Sequence, residues 1–480
     1  MNFHPIDWII VVTYLAATMA AGLYGKRYVS GLGDFLVAGR KLGTYIGIAT
    51  LAATEIGTIT FMYNAQLGFK NGYSSFIIGL ISGLVMIFIG RTGFLVKKMR
   101  AMGIMTVPEF FEARYSRKLR LLTGILVAIG GILNMGVFLK VEGTFLLLIS
   151  GLSRDYLKEM MTGILILEVV YTVLGGMVSI VITDFIQFVF LGIGTVLITG
   201  FTIYKAGWDN MFHAVMINRG DAGFSPLVNS DFGWGFIIFQ ILLWMAVDTC
   251  WQTTAMRTFS TRDPETSKKV FSWTGFIFLG RGMMPMLWGI GALTILGPKV
   301  DSLEAMPIMI AKILPVGVLG LVTAGMLAAT MSVNSSYLLG WSSVIAQDIV
   351  GPARKTPLSS KGQVRLNRVT NLFVSAFVWF WGIWYTLPGP VYYYLNITAT
   401  IFLAGAFAAV TGGLYWSRAN TVGGYSAMIA GAAGSIAFFF FQTPPAYAGL
   451  GSFAAAAIAM VIGSLLGGKP TPVATIELRQ

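Results

Sequence analysis

The chain has 480 residues, 56% of them hydrophobic and 11% charged, with a mean hydropathy of +0.75. Soluble domains carry roughly 25% charged residues, so the composition excludes a soluble globular fold and specifies a polytopic membrane protein. One cysteine, Cys250, and two histidines, His4 and His213, both outside the apolar stretches, leave no internal disulfide, no cysteine-based metal site and no histidine relay.

About thirteen apolar stretches of spanning length follow one another: 5–25, 44–68, 72–96, 119–149, 156–177, 180–204, 233–256, 270–296, 315–347, 366–387, 391–416, 422–441 and 446–467. The N-terminus lacks the basic region and cleavage site of a signal peptide. With the N-terminus outside and the C-terminus cytoplasmic, and with Arg120, Lys158 and Arg368 at span ends counted with the adjoining loops, 23 of the 33 Lys and Arg fall in inner loops, seven in outer loops and three within spans. That bias sets the orientation, so the net charge of +13 is topological and calls for no nucleic-acid partner.

The stretch 44–68 contains Leu51-Ala52-Ala53-Thr54-Glu55-Ile56-Gly57-Thr58-Ile59-Thr60-Phe61. Small residues, threonines and a buried acid suit a helix unwound near 53–57, where freed carbonyls coordinate cations and a half-helix N-terminus attracts anions. Segment 104–118, with Thr106 and Pro108 near its start, reads as a short interfacial helix on the cytoplasmic side, and 298–314 as its outer counterpart. Ionisable residues inside the spans are Glu55, Arg91, Lys140, Glu142, Glu168, Asp184, Asp248 and Arg281. Each costs several kcal/mol unless paired or wet. For Lys140 the better intramolecular partner is Glu55, because Glu142 is two residues away on another helix face. Gly175-Gly176 marks a tight turn just before Asp184.

Later in the chain, Ala328-Ala329-Thr330-Met331-Ser332-Val333-Asn334-Ser335-Ser336 crowds four hydroxyls and an amide into one membrane helix. Oxygens at i, i+3 and i+4 share a face and can replace the hydration shell of a hard cation; the alternative is interhelical hydrogen bonding.

Phe35-Leu36-Val37-Ala38-Gly39-Arg40, Thr106-Val107-Pro108-Glu109-Phe110-Phe111, Gly175-Gly176-Met177-Val178-Ser179-Ile180-Val181-Ile182-Thr183-Asp184-Phe185-Ile186-Gln187 and Gly412-Gly413-Leu414-Tyr415-Trp416-Ser417-Arg418-Ala419-Asn420 occur in this order. In these motifs the chain resembles the sodium/solute symporters, which include sodium/glucose, sodium/proline and sialic acid transporters. The resemblance implies an all-α, LeuT-type fold of two inverted five-helix repeats. It implies one transporter domain over 1–480: an extra helix at 5–25, a ten-helix core over 44–416 and extra helices over 422–467.

The resemblance further implies a first Na+ site from the carbonyls of Ala53, Ile56 and Ala329 and the hydroxyl of Ser332. The family has a second Ser or Thr where this chain has Val333. It implies a second Na+ site from Asp184, Ser332, Ser335 and Ser336. The sugar-contacting positions of galactose-type members match Ile59 and Thr60 here, which disfavours a hexose. Candidate substrate-binding residues are Glu55, Thr58, Thr60, Lys140, Trp244 and Asp248. Lys140 is read as a carboxylate ligand, Trp244 as an aromatic gate, and residues 392–400 as lining of the outer vestibule.

The expected function is Na+-coupled symport of a small organic solute into the cell by alternating access, with a carboxylate-bearing solute as one reading. One or two Na+ ions are the coupling cofactors; Val333 leaves Li+, H+ or an uncoupled facilitator as alternatives. The partners are the solute and the lipid bilayer of a plasma or inner membrane, with the monomer as the functional unit. No nucleophile, base and oxyanion donors come together, which disfavours an enzyme. The short tail after the last span disfavours a sensor.

Overall fold

In hydrocarbon every backbone N–H and C=O must find its partner within the segment, so apolar stretches become helices. The computed structural model describes residues 3–354, 356, 358–387, 389–441 and 443–467, and every stretch expected to span is mostly helical there, with the interruptions described below. We number the helices α1 (Pro5–Gly25), α2 (Thr44–Glu55), α3 (Thr58–Asn71), α4 (Phe76–Thr92), α5 (Arg117–Met135), α6 (Phe138–Ser150) and α7 (Leu157–Ala206). They continue with α8 (Trp234–Cys250), α9 (Gln252–Ser260), α10 (Pro264–Leu296), α11 (Val318–Val344), α12 (Ser360–Trp384), α13 (Val391–Tyr415), α14 (Thr421–Phe441) and α15 (Pro445–Leu466). Among the described residues, eight helical runs are long and apolar enough to cross a membrane, and a ninth if α8 and α9 count as one bent span.

Runs undercount crossings. Arg154–Ala206 is 53 residues long, whereas about 20 residues cross the hydrocarbon. The run breaks at Gly176, whose φ of +52° and ψ of −145° suit glycine. A Cβ there would also lie 2.6 Å from Phe35. This is the turn expected before Asp184.

Other interruptions fall inside single expected stretches. The stretch 44–68 divides into α2 and α3 at Ile56 and Gly57, within the expected unwound segment. The stretch 119–149 was read as one helix but turns at Gly136 and Val137, where the Trp381 ring packs so close that a Cβ on Gly136 would meet it at 2.3 Å. The stretch 233–256 bends by 47° at Trp251. Its backbone is extended there, and Trp251 Nε1 donates to the Tyr337 hydroxyl at 3.1 Å.

Helices pack through small residues, since lipid offers no hydrophobic drive for association. α4 lies along α10, and a Cβ on Gly282 would stand 2.4 Å from the Gly79 Cα. α7 packs on α11, and α1 packs on both. Asp7 of α1 is fully buried and its Oδ1 accepts the N–H groups of Gly317 and Gly320, each at 2.7 Å. A carboxylate from the first helix thus caps the start of α11, satisfying backbone donors that have no partner within that helix.

Two short helices differ from their expected setting. Val107–Arg114 and Ala305–Ile313 form where 104–118 and 298–314 were read as interfacial, but Phe110, Phe111, Met306 and Ile310 are buried in protein. Arg114 donates to the carbonyls of Gly413 and Ala419, so the helix docks on α13 and the residues after it. Nearby, Arg120 pairs with Glu109, Glu112 and Asp348 and ties this helix to the π-helical turn Ile345–Val350.

Candidate functional site

At the end of α2 the Gly57 N–H, which would close the helical ladder on the Ala53 carbonyl, donates to Thr60 Oγ1 at 3.3 Å. The next helix starts with Phe61 N–H on the Gly57 carbonyl. The carbonyls of Ala53 and Ile56 therefore sit where the regular ladder is interrupted. Thr58 Oγ1 donates to the Met326 carbonyl at 2.6 Å, fastening the restart of the helix to α11. A Cβ on Gly57 would meet Val333 Cγ2 at 2.8 Å, so the break abuts α11 one residue past Ser332. Ala53, Ala329 and Ser332 are all fully buried. The break thus lies against the helix that carries Ala329 and Ser332. Val333 supplies no oxygen and fills the space beside Gly57.

The second candidate group is organised by Asp184. Its Oδ1 accepts from Ser332 Oγ at 2.5 Å and its Oδ2 from Thr50 Oγ1 at 2.5 Å. Arg257, 1% exposed, donates from Nη2 to Asp184 Oδ2 at 3.2 Å and to Ser336 Oγ at 2.5 Å, and from Nε to Thr50 Oγ1 at 3.3 Å. Thr54 Oγ1 lies 3.2 Å from Ser336 Oγ. Ser335 turns back to the Ser332 carbonyl at 3.1 Å. Three of the four expected residues, Asp184, Ser332 and Ser336, therefore come together. The positive charge among them is the guanidinium of α9. Arg257 was counted as an inner-loop charge because it follows the apolar stretch 233–256, and hydropathy carries no signal of the bend that returns it to the interior.

Between the two interrupted helices lies a cavity with roughly 640 Å³ of space not filled by protein atoms, including its opening. Glu55 and Thr60 line it from the first break and Trp244 and Trp251 from the second, together with Arg281, Tyr392 and Asn396. Glu55, Thr60 and Trp244 of the expected substrate residues are here, as are four residues of 392–400. Thr58, Lys140 and Asp248 are outside the lining. Lys140 meets neither Glu55 nor Glu142: its Nζ donates to the Tyr385 carbonyl at 2.9 Å. Tyr385 caps the C-terminal end of α12, where free carbonyls and the helix dipole both favour a cation. Glu55 Oε1 instead accepts from Thr253 and Thr254 at 3.1 and 2.9 Å.

Glu142 and Glu168, both fully buried, share one donor, the Asn334 Nδ2, at 2.7 and 3.0 Å. The amide in the polar run of α11 thus serves an acid pair away from the cavity. Arg91 is exposed at the end of α4.

The sodium:solute symporter family profile matches residues 35–431. A sodium/glucose cotransporter of Vibrio parahaemolyticus is 24% identical over 91% of this chain and 84% of its own length. A sodium/sialic acid symporter, NanT, of Aliivibrio fischeri is 24% identical over 76% of this chain and 74% of its own. A sodium/proline symporter of Staphylococcus aureus is 25% identical over 88% and 84%. Among solved structures, a substrate-bound, outward-open Na+-coupled sialic acid symporter superposes with a TM-score of 0.82 at 19% identity, covering 98% of this chain and 100% of that one. MhsT in complex with L-phenylalanine gives 0.55 at 13% identity, covering 88% and 98%. The fold is thus all-helical with LeuT-like neighbours, and the chain, a multi-pass membrane transporter and not an enzyme, belongs to the sodium:solute symporter family.

Proposed function

We propose that the protein carries a small organic solute into the cell together with Na+, by alternating access within a ten-helix core over 44–416 flanked by α1, α14 and α15. The observation that carries this reading is the interruption at Ile56 and Gly57, set against Val333 of α11, the neighbour of Ser332, and opening on the central cavity. Na+ is held by the carbonyls of Ala53, Ile56 and Ala329 and by Ser332. The Ser332 hydroxyl donates its hydrogen bond to the Asp184 carboxylate, which leaves its lone pairs for the ion and places a negative charge one hydrogen bond away.

Bound Na+ bridges the first helix of the core to α11 and stabilises the state in which the cavity is complete. Solute stabilises the same state, so each ligand raises the other's affinity. Arg257 occupies the place of a second ion among Asp184, Ser332 and Ser336, which supports one coupling ion in this conformation. The one buried cation in the cavity lining, Arg281, supports a carboxylate-bearing solute.

The test is uptake by proteoliposomes under an imposed Na+ gradient, with Li+, K+ and a pH gradient of equal size in parallel arms. Concentrative uptake driven by Na+ is expected. Uptake driven equally by the pH gradient alone, or counterflow without accumulation under any gradient, overturns Na+ coupling.

A further inference from the structure

Arg281 of α10 lines the central cavity and is 8% exposed. Its guanidinium carbon sits 4.5 Å from the centroid of Phe278 and 5.1 Å from that of Trp244. The aromatic faces hold the cation but accept none of its directional N–H bonds. Nε and Nη1 are buried with no hydrogen-bond partner, and Arg281 forms no ion pair, among the described residues. Burying a guanidinium so incompletely satisfied is unfavourable, a cost that a bound acceptor removes.

The other unpartnered buried groups on the cavity wall have the same character: Trp244 Nε1 and Asn396 Nδ2. Donors without acceptors therefore collect on this wall. The complement is a ligand with a compact pair of acceptor oxygens, and a planar guanidinium matches a carboxylate bidentately. Across the break, Glu55 also lines the cavity. Its Oε1 is occupied by Thr253 and Thr254, while Oε2 has no hydrogen-bond partner among the described residues. Among the described residues, Glu55 is the only acid in the lining and Arg281 the only base. The remaining lining is largely aromatic and aliphatic, including Tyr63, Phe138, Trp251 and Tyr337, which suits a short apolar body between the two charged ends.

We propose that the transported solute is a small zwitterion whose carboxylate is held by Arg281 and whose ammonium group is held by Glu55. This rests on the solute-carrier reading above and names the chemistry of its solute. It also replaces Lys140, whose ammonium is engaged by the Tyr385 carbonyl, as the carboxylate-recognising residue.

The test is thermal unfolding of the purified full chain in detergent, with and without Na+, against four probe sets. These are neutral amino acids, matched amines lacking the carboxylate, matched carboxylates lacking the amine, and aldohexoses. Only the amino acids are expected to stabilise the wild type. Arg281→Gln should weaken their binding about 100-fold, as loss of one partner of a buried charge pair does, and Arg281→Lys should retain part of it. Glu55→Gln should shift preference toward the carboxylates lacking the amine, a change that a purely structural role does not produce.

Stabilisation of Arg281→Gln by Na+ alone would show that it is folded with its cation site intact. If that variant does not fold, Arg281→Lys and the wild-type ranking decide. Stabilisation of the wild type by hexoses or by the matched amines as strongly as by amino acids overturns the proposal, as does wild-type amino-acid affinity in Arg281→Gln. Absence of stabilisation by every amino acid also overturns it. Amino-acid binding that survives without any Na+ effect would instead remove Na+ coupling and leave the zwitterion site standing.

Discussion

Arg257 and Arg281 are both buried near the middle of the molecule, yet their surroundings are opposites. Arg257 is met by the Asp184 carboxylate and two hydroxyls, its charge paired within the chain although Nη1 finds no acceptor. Arg281 rests on two aromatic rings with donors left over. A buried cation paired with a carboxylate of its own chain is part of the architecture; one with no ion pair among the described residues, beside a cavity, is part of a recognition surface.

The largest effect expected from breaking this contrast is at Asp184. Asp184→Asn strands the Arg257 guanidinium and should cost about 3–5 kcal/mol, read as a fall in Tm with loss of uptake. Adding Arg257→Gln to that variant should return most of the stability, because both members of the pair are then gone. Wild-type uptake and cation dependence in Asp184→Asn would show that this group has no part in coupling. Arg257→Gln alone leaves Asp184 with Thr50 and Ser332 and without its cation. Its Tm should then rise with Na+ concentration more steeply than that of the wild type, since binding to the native state alone stabilises it. An Na+ dependence no steeper than the wild type's would mean that the place taken by Arg257 cannot hold an ion.

Smaller effects belong to the α2–α11 contact. Ser332→Ala removes the one side-chain oxygen proposed for the first site and should raise the Na+ concentration for half-maximal uptake about tenfold, the equivalent of one lost hydrogen-bond-strength ligand. Val333→Ser should move that concentration a few-fold in the other direction while lowering stability by about 1 kcal/mol, because the methyl contact with Gly57 is lost. An unchanged Na+ dependence in both variants would place the ion elsewhere.

The sequence disclosed the helices well because hydrocarbon enforces a pattern that hydropathy reads directly. The break at 56–57 was visible for the same reason: Glu55, Gly57 and the flanking threonines are poor companions for lipid. What escaped were features set by a partner distant in sequence. The bend at Trp251 follows an ordinary apolar run, and the residues after it carry charges that read as a loop. Lys140 drew attention as a buried ammonium seeking a carboxylate, but the carbonyl at the end of α12 satisfies it, and backbone acceptors leave no mark in a list of side chains. Arg281 was noted as ionisable, yet its vacant donors become apparent only when its neighbours prove to be aromatic.

The carboxylate of Asp7 that reaches across to Gly317 and Gly320 gives the amino end an unexpected use as a reporter. Because α1 is fastened to the start of α11, a spectroscopic label on the outward-facing Ile9, 65% exposed, is carried along with the helix bearing Ser332. Distances from such a label to α8 or α13 would follow the displacement of that helix through the transport cycle without a probe near the ion.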